Sequence, residues 1–312
     1  MNRKNLFRTG LILFFVSMMV SCSKDDENNE TQTQTGNKTE VYLTDAPIDN
    51  ANVQGAFVTV SNVMVNGKAI EGFEKTTIEL SSLTNGNTEF LGDLNLESGT
   101  TSSISLVLDN ETDASGDSLA NYVLTSGGEK VALTSSADEI VLNDNAEIQE
   151  SDNNKLILDF DLRKAIVSQT EGEYSFVSNA ELSNSVRAVN SLNAGTIDGT
   201  VSNMNNDASE TMVVYAYKKG SYTEGETGSD FSNAVNSSVV NSSSGDFSLN
   251  FLEEGEYELH FASYSDSNSG AGLDFQGMVD ATAASDLDLM GLSVTAESTT
   301  TVEINIDGLL GL

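Results

Sequence analysis

This chain of 312 residues is short of the residue types that most often carry chemistry or cross-links. It has one cysteine (Cys22), one histidine (His260), one proline (Pro47) and no tryptophan. Beyond Cys22 there is no thiol, so the body of the chain has neither disulfides nor thiolate metal sites, and its stability rests on hydrophobic cores. A single histidine leaves the usual zinc sites without ligands and gives a nucleophilic triad one possible base. The missing tryptophan removes the strongest sugar-stacking side chain. Positive charge is scarce as well: 14 Lys and Arg stand against 48 Asp and Glu, a formal net charge of −34. Such a surface repels nucleic acid and anionic head groups and favours solubility, cations and basic partners. No nucleic-acid partner and no cofactor are expected.

The longest apolar run, Leu11 to Val20, follows Arg3, Lys4 and Arg8. It is about half of the roughly 20 residues that a membrane-spanning helix needs, and suits a signal-peptide core. Ser21 and the lone Cys22 come next. This order resembles the lipobox of bacterial lipoproteins, with Met19 in place of the more usual leucine. The resemblance implies cleavage before Cys22, a diacylglycerol on its sulfur and an acylated amine. Two or more acyl chains, at about 0.8 kcal/mol per buried methylene, hold a protein firmly on a membrane. Lys24, Asp25, Asp26 and Glu27 then resemble the surface-export signal of Bacteroidetes lipoproteins, which implies the outer membrane and exposure to the medium.

Four segments are expected: a signal peptide over 1–21, a polar tether over 22–39, and domains over 40–190 and 194–312. The tether (ENNETQTQTGNKT) lacks the apolar content to offset ordering entropy. As a coil of about 17 residues it would span roughly 20–25 Å. From Glu40 onward the pattern is all-β and predicts two β-sandwiches. Valine, isoleucine, threonine and phenylalanine cluster in short runs broken by turn dipeptides such as Asn66-Gly67 and Asn85-Gly86. Ile104, Leu106 and Leu108 alternate with serines. Leu156, Leu158, Phe160 and Leu162 share a face opposite Asp159 and Asp161, and Val302, Ile304 and Ile306 oppose polar neighbours. Short helical turns are possible over Asp161–Val167 and Ala281–Leu289.

Val41-Tyr-Leu-Thr-Asp-Ala-Pro47, the run Leu96–Leu108 and Leu156-Ile-Leu-Asp-Phe-Asp-Leu162 together resemble a bacterial lipoprotein domain of unknown function with LTDAP and DFD-type motifs. In the second half, Gly195-Thr-Ile-Asp-Gly-Thr-Val201, Gly245-Asp-Phe-Ser-Leu and Gly255-Glu-Tyr-Glu-Leu resemble the carboxypeptidase regulatory-like, or transthyretin-like, sandwiches. That resemblance implies an accessory domain without catalytic residues. Phe247, Leu249 and Phe251 are expected to face inward against Tyr257, Leu259 and Phe261, which leaves His260 facing solvent.

Asp159 and Asp161 are the best candidates for acid–base work, since paired carboxylates can hydrolyse glycosides. Two residues apart on a strand, they sit about 6.6 Å apart on one face. Their repulsion is roughly 0.6 kcal/mol in water and roughly 2.4 kcal/mol at an effective dielectric of 20. Burial would demand a cation or a proton, and Arg163 or Lys164 could supply the former. The favoured reading is a structural pair. Calcium has oxygen donors in three loops: Asp109, Glu111, Asp113 and Asp117; Asp144, Glu147 and Asp152; Asp266, Asn268 and Asp274. None has EF-hand spacing, and no metal site is expected. Asp117-Ser118-Leu119 resembles a short O-glycosylation motif.

The reading is a lipid-anchored, non-catalytic surface protein for binding, display or adhesion, with an extracellular glycan or protein as partner. Loops 218–244 and 263–275 are the expected contact surfaces. The alternatives are a carbohydrate-active protein using Asp159 and Asp161, or a subunit of an outer-membrane uptake complex.

Overall fold

The alternating runs become strands, and most pair antiparallel. The structure, a computed structural model, describes residues 36–46, 53–135, 137–170, 173–203, 210–226, 231–266 and 273–309. In the first half a four-stranded sheet has the order Val186–Asn190, Asn154–Asp161, Asn37–Ala46, Glu89–Leu96. Its two central strands run parallel, and the outer two are antiparallel to them. A nine-stranded sheet built around the long strand Val53–Val65 packs against its inner face. Val41, Leu43, Leu156, Leu158 and Phe160 meet Val58, Val60, Val63 and Leu106 in one core. Asn66-Gly67 and Asn85-Gly86 form turns with both residues at positive φ, as their types require. Asp161–Val167 contains the helical turn Leu162–Ala165.

The chain passes to the second half through one short 3₁₀ turn, Ser191–Asn193. There an eight-stranded sheet curls around its own core. Ile197, Leu249, Tyr257, Leu259, Phe261 and Val302 point inward. The terminal strands, Asn236–Val239 and Asp246–Glu253, approach each other and are joined by side chains. Asn236 Nδ2 donates to the Asn250 carbonyl at 2.9 Å, and Ser248 N donates to Ser238 Oγ at 3.4 Å. Both halves fall within one compact unit, Thr35–Leu312. Among the described residues no helix is long and apolar enough to cross a membrane.

Three local expectations are corrected. Phe251 does not join Phe247 and Leu249 in the core. One extra residue on the 246–253 strand makes a bulge opposite Gly195–Ile197, with Phe251 at φ 54°. The bulge turns Leu252 inward and aims Phe251 at the first half. Ala281–Leu289 is not helical: its first residues end the strand Leu273–Ala283, whose register against 299–309 holds them extended. The 218–244 segment is more than a presented loop. It supplies the strand Asn236–Val239 and lays Phe231 on Tyr215 with ring centroids 4.1 Å apart. This makes a second core on the outer face of the sheet, with Tyr217, Tyr264 and Ala262.

Candidate functional site

The motif aspartates of the first half converge. Parallel pairing sets Thr44 opposite Asp159, Asp45 opposite Phe160 and Ala46 opposite Asp161. All three carboxylates therefore lie at one end of the four-stranded sheet. Alternation then separates them. Asp45 follows Val41 and Leu43 onto the inner face, where its Oδ1 accepts the Leu162 N–H at 3.1 Å. Asp159 and Asp161 occupy the outer face, beneath the second half. All are buried, with relative exposures of 6%, 3% and 7% for Asp45, Asp159 and Asp161.

Each outer-face carboxylate has its own cations. Asp161 Oδ2 meets Arg163 Nη2 at 2.8 Å and Lys164 Nζ at 3.4 Å. Asp159 Oδ2 meets Arg187 Nη2 at 2.5 Å, a cross-strand pair set by register. Every one of these cations also donates to a backbone carbonyl of the second half. Arg163 Nη1 reaches Phe231 O at 2.9 Å, Lys164 Nζ reaches Ala234 O at 2.6 Å, and Arg187 Nη1 reaches Phe251 O at 2.6 Å. The Arg163 guanidinium also lies 5.3 Å from the centre of the Tyr215 ring. The arginine fork suits this double duty, with one nitrogen held by the acid and another free to cross the junction. A neighbouring contact closes on the same region: the Asn85-Gly86 turn leans on Asn250, and Ser238 Oγ lies 3.5 Å from Asn85 Oδ1.

The electrostatics follow from burial. Desolvation holds the Asp45 carboxyl well above the ordinary range, and the negative charges of Asp161 and Asp159 add to this. Burial also raises Asp159, against the pull of Arg187. For Arg187 burial acts downward, but the Asp159 charge and hydrogen bond outweigh it and the guanidinium stays protonated. Burial lowers Lys164. Chemically the cluster is closed. An acid or base must reach its substrate, whereas both outer-face carboxylates are covered by the second half and bound to cations. Arg163 and Lys164 were legible as partners from the sequence. Arg187 was missed, being 28 residues from Asp159. Its one signal is a lone arginine in the apolar strand Val186-Arg-Ala-Val-Asn190.

His260 does not face open solvent. The segment after Lys218 folds over it, and the Tyr222 ring stacks on the imidazole at 3.7 Å. Burial lowers its pKa. The loop carboxylates accept hydrogen bonds, some within their own turns and some from distant strands. Asp109 Oδ1 accepts the N–H groups of Glu111 and Thr112, and Asp113 Oδ1 those of Ser115 and Asp117. Asp144 and Asp152 accept the N–H groups of Ala188 and Lys38, and Glu147 accepts the Thr100 hydroxyl. Among the described residues no three Asp, Glu, His or Cys side chains come together in a metal-binding arrangement. Ser118 is exposed beside Leu119, whose φ is 75°. Cys22, Lys24, Asp25, Asp26, Glu27, Pro47, Asn268 and the Asp266 side chain lie outside the described residues.

Beside the junction lies an open groove of about 840 Å³, with Tyr42, Ile157 and Phe251 among its lining residues. A second, of about 590 Å³, runs along Gly199, Thr200, Asp246 and Ser248.

Residues 37–178 match the family model described as a domain of unknown function (DUF4382). No curated protein matches the chain significantly. Among solved structures, the minor pilin GBS52 of Streptococcus agalactiae is 11% identical, with 88% of this chain and 98% of that one covered at a TM-score of 0.23. The fimbrial anchor protein Mfa2 of Porphyromonas gingivalis is 11% identical, with 86% and 90% covered at 0.19. The Bacillus anthracis TIE protein is 10% identical at 0.21, and the chain spans 34% of its length.

Proposed function

We propose that this protein is a lipid-anchored surface protein whose body binds or displays rather than catalyses. The observation that carries the reading is the junction. Its clustered acids and bases are spent on joining two β-rich halves into one body, and none is left open to a substrate. We read 40–190 and 194–312 as the two domains, the second as an accessory sandwich of the carboxypeptidase regulatory-like kind. Because a buried ion pair adds little net stability over apolar residues, the role of this one is to set a single orientation between the halves. A rigid body set behind a polar tether keeps its surfaces clear of the head groups. The anchor is Cys22, and Lys24 to Glu27 direct export to the outer face of the outer membrane.

The test is on cells. Radiolabelled palmitate is expected on the wild-type chain and absent from Cys22→Ser, which leaves the membrane fraction. Protease added to intact cells is expected to digest the wild type and to spare a variant with alanine at Lys24, Asp25, Asp26 and Glu27. A Cys22→Ser protein that remains firmly in the envelope overturns the anchoring.

A further inference from the structure

One row of side chains crosses the outer face of the four-stranded sheet: Phe90, Tyr42, Ile157 and Val189, each paired with the next by register. The second half covers only part of it. Ile157 and Val189 are buried against Ala194 and Phe251, whereas Tyr42 is half-buried and Phe90 is 51% exposed. An apolar row thus runs out from beneath the junction into solvent. Its open end is aromatic, the two rings standing 5.3 Å apart at 56°. Tyr42 is held in place by its hydroxyl, which donates to Glu40 Oε2 at 2.8 Å. Tyr42 and Ile157 line the 840 Å³ groove, within the range of about 300–1,000 Å³ usual for small-ligand sites, while Phe90 stands beside it and lines a neighbouring hollow with Ile70, Glu74 and Asp93. Above the apolar floor its rim carries the carboxylates of Glu40, Asp152 and Glu297, the amide of Asn153 and the amine of Lys155. Lys155 Nζ lies 5.7 Å from the Tyr42 ring centre.

We propose that this groove binds a neutral oligosaccharide; the inference rests on the binding role proposed above and names its ligand class. A pyranose has an apolar C–H face and a rim of hydroxyls. The groove offers a counterpart to each: the side chains of Tyr42, Ile157 and Phe251 in its lining, and acceptors with a few donors around the edge. Three carboxylates against one amine exclude anionic ligands such as phosphates and uronic acids. An extended peptide fits less well. It gains affinity by adding a strand to a sheet edge, but this groove lies over a sheet face, where the floor is side chains and no backbone ladder is on offer.

The experiment is titration calorimetry on the full chain carrying Cys22→Ser. The probes are cellohexaose, xylohexaose, mannohexaose and maltohexaose, with an arginine-rich decapeptide as comparator. Saturable binding of at least one hexasaccharide is expected. Tyr42→Ala should weaken it about tenfold or more, the usual effect of removing a central aromatic anchor. Tyr42 is half-buried, so a melting curve checks that the fold survives. Tyr42→Phe keeps the ring and should weaken binding less than Tyr42→Ala. The proposal is overturned if no hexasaccharide binds, if binding is unchanged in Tyr42→Ala, or if the decapeptide binds instead. The anchoring result on cells is independent of all these outcomes, so failure of the site is distinguishable from failure of the surface assignment.

Discussion

Replacing Arg187 with methionine removes the one cation bound directly to Asp159 among the described residues and the donor to the Phe251 carbonyl, while keeping most of the buried stem. The Asp159 carboxylate is then left 3% exposed with no ion-pair partner of its own. Losing one member of a buried pair costs about 3–5 kcal/mol, because the orphaned charge stays out of water. In a body of this size each kcal/mol moves the melting midpoint by roughly 2–4 °C, so the expected loss is roughly 6–20 °C. The companion variant Asp159→Asn removes the charge but keeps an acceptor. The double variant should therefore lose clearly less than the two singles combined. Calorimetric melts of the four proteins give the coupling, expected at about 1–3 kcal/mol, the upper part of the range for residues in contact. The exposed pair Lys218–Glu253 is the control, with side chains 59% and 45% exposed. Lys218→Met should change stability by less than about 1 kcal/mol. Added salt should weaken the effect at Lys218 and leave that at Arg187. A coupling between Arg187 and Asp159 below about 0.5 kcal/mol refutes the reasoning, for it means that the junction does not depend on this pair.

Two pH experiments follow from the same burial, with opposite signs. Asp45 is held well above the ordinary range chiefly by desolvation, so the folded chain favours its protonated form. That stabilisation is complete below the unfolded value, about pH 4, and is lost as pH rises through the folded value. Asp45→Asn, which keeps the acceptor for Leu162 N–H, should melt at or above the wild type in neutral buffer, with the difference vanishing toward acid; an equal loss at every pH counts against it. His260 is shifted downward by burial, so the fold favours the neutral imidazole. Its contribution is present above the unfolded value, about pH 6.5, and is lost as pH falls through the folded value. His260→Phe retains a ring for Tyr222 and should flatten the decline below pH 6.5, and a decline of unchanged slope sinks the assignment.

The strands, their inward faces and the Asn-Gly turns were legible in the sequence because each depends on neighbours two or three residues away. Period-two alternation set which of Leu156–Leu162 face the core, and the pairing of Asp161 with Arg163 and Lys164 follows from the same short spacing. What failed was whatever depends on the far side of a strand. His260 reads as exposed because alternation gives one buried face, and nothing local shows that Phe231 and Tyr222 fold back over the other. Phe251 reads as core because the pattern Phe-Ser-Leu-Asn-Phe is regular; the bulge that turns it outward exists only when the 246–253 strand meets 194–201.

The chain by itself determined an all-β body, strongly acidic, free of cross-links, with a single thiol placed behind an apolar run. Tertiary structure alone decided that Asp45 and the Asp159–Asp161 pair share one sheet end, that Arg187 answers Asp159, and that an aromatic row emerges beside a groove. The reason is physical. Local sequence sets backbone preference and the apolar face of each strand, but register and the docking of two halves bring together groups that lie tens of residues apart.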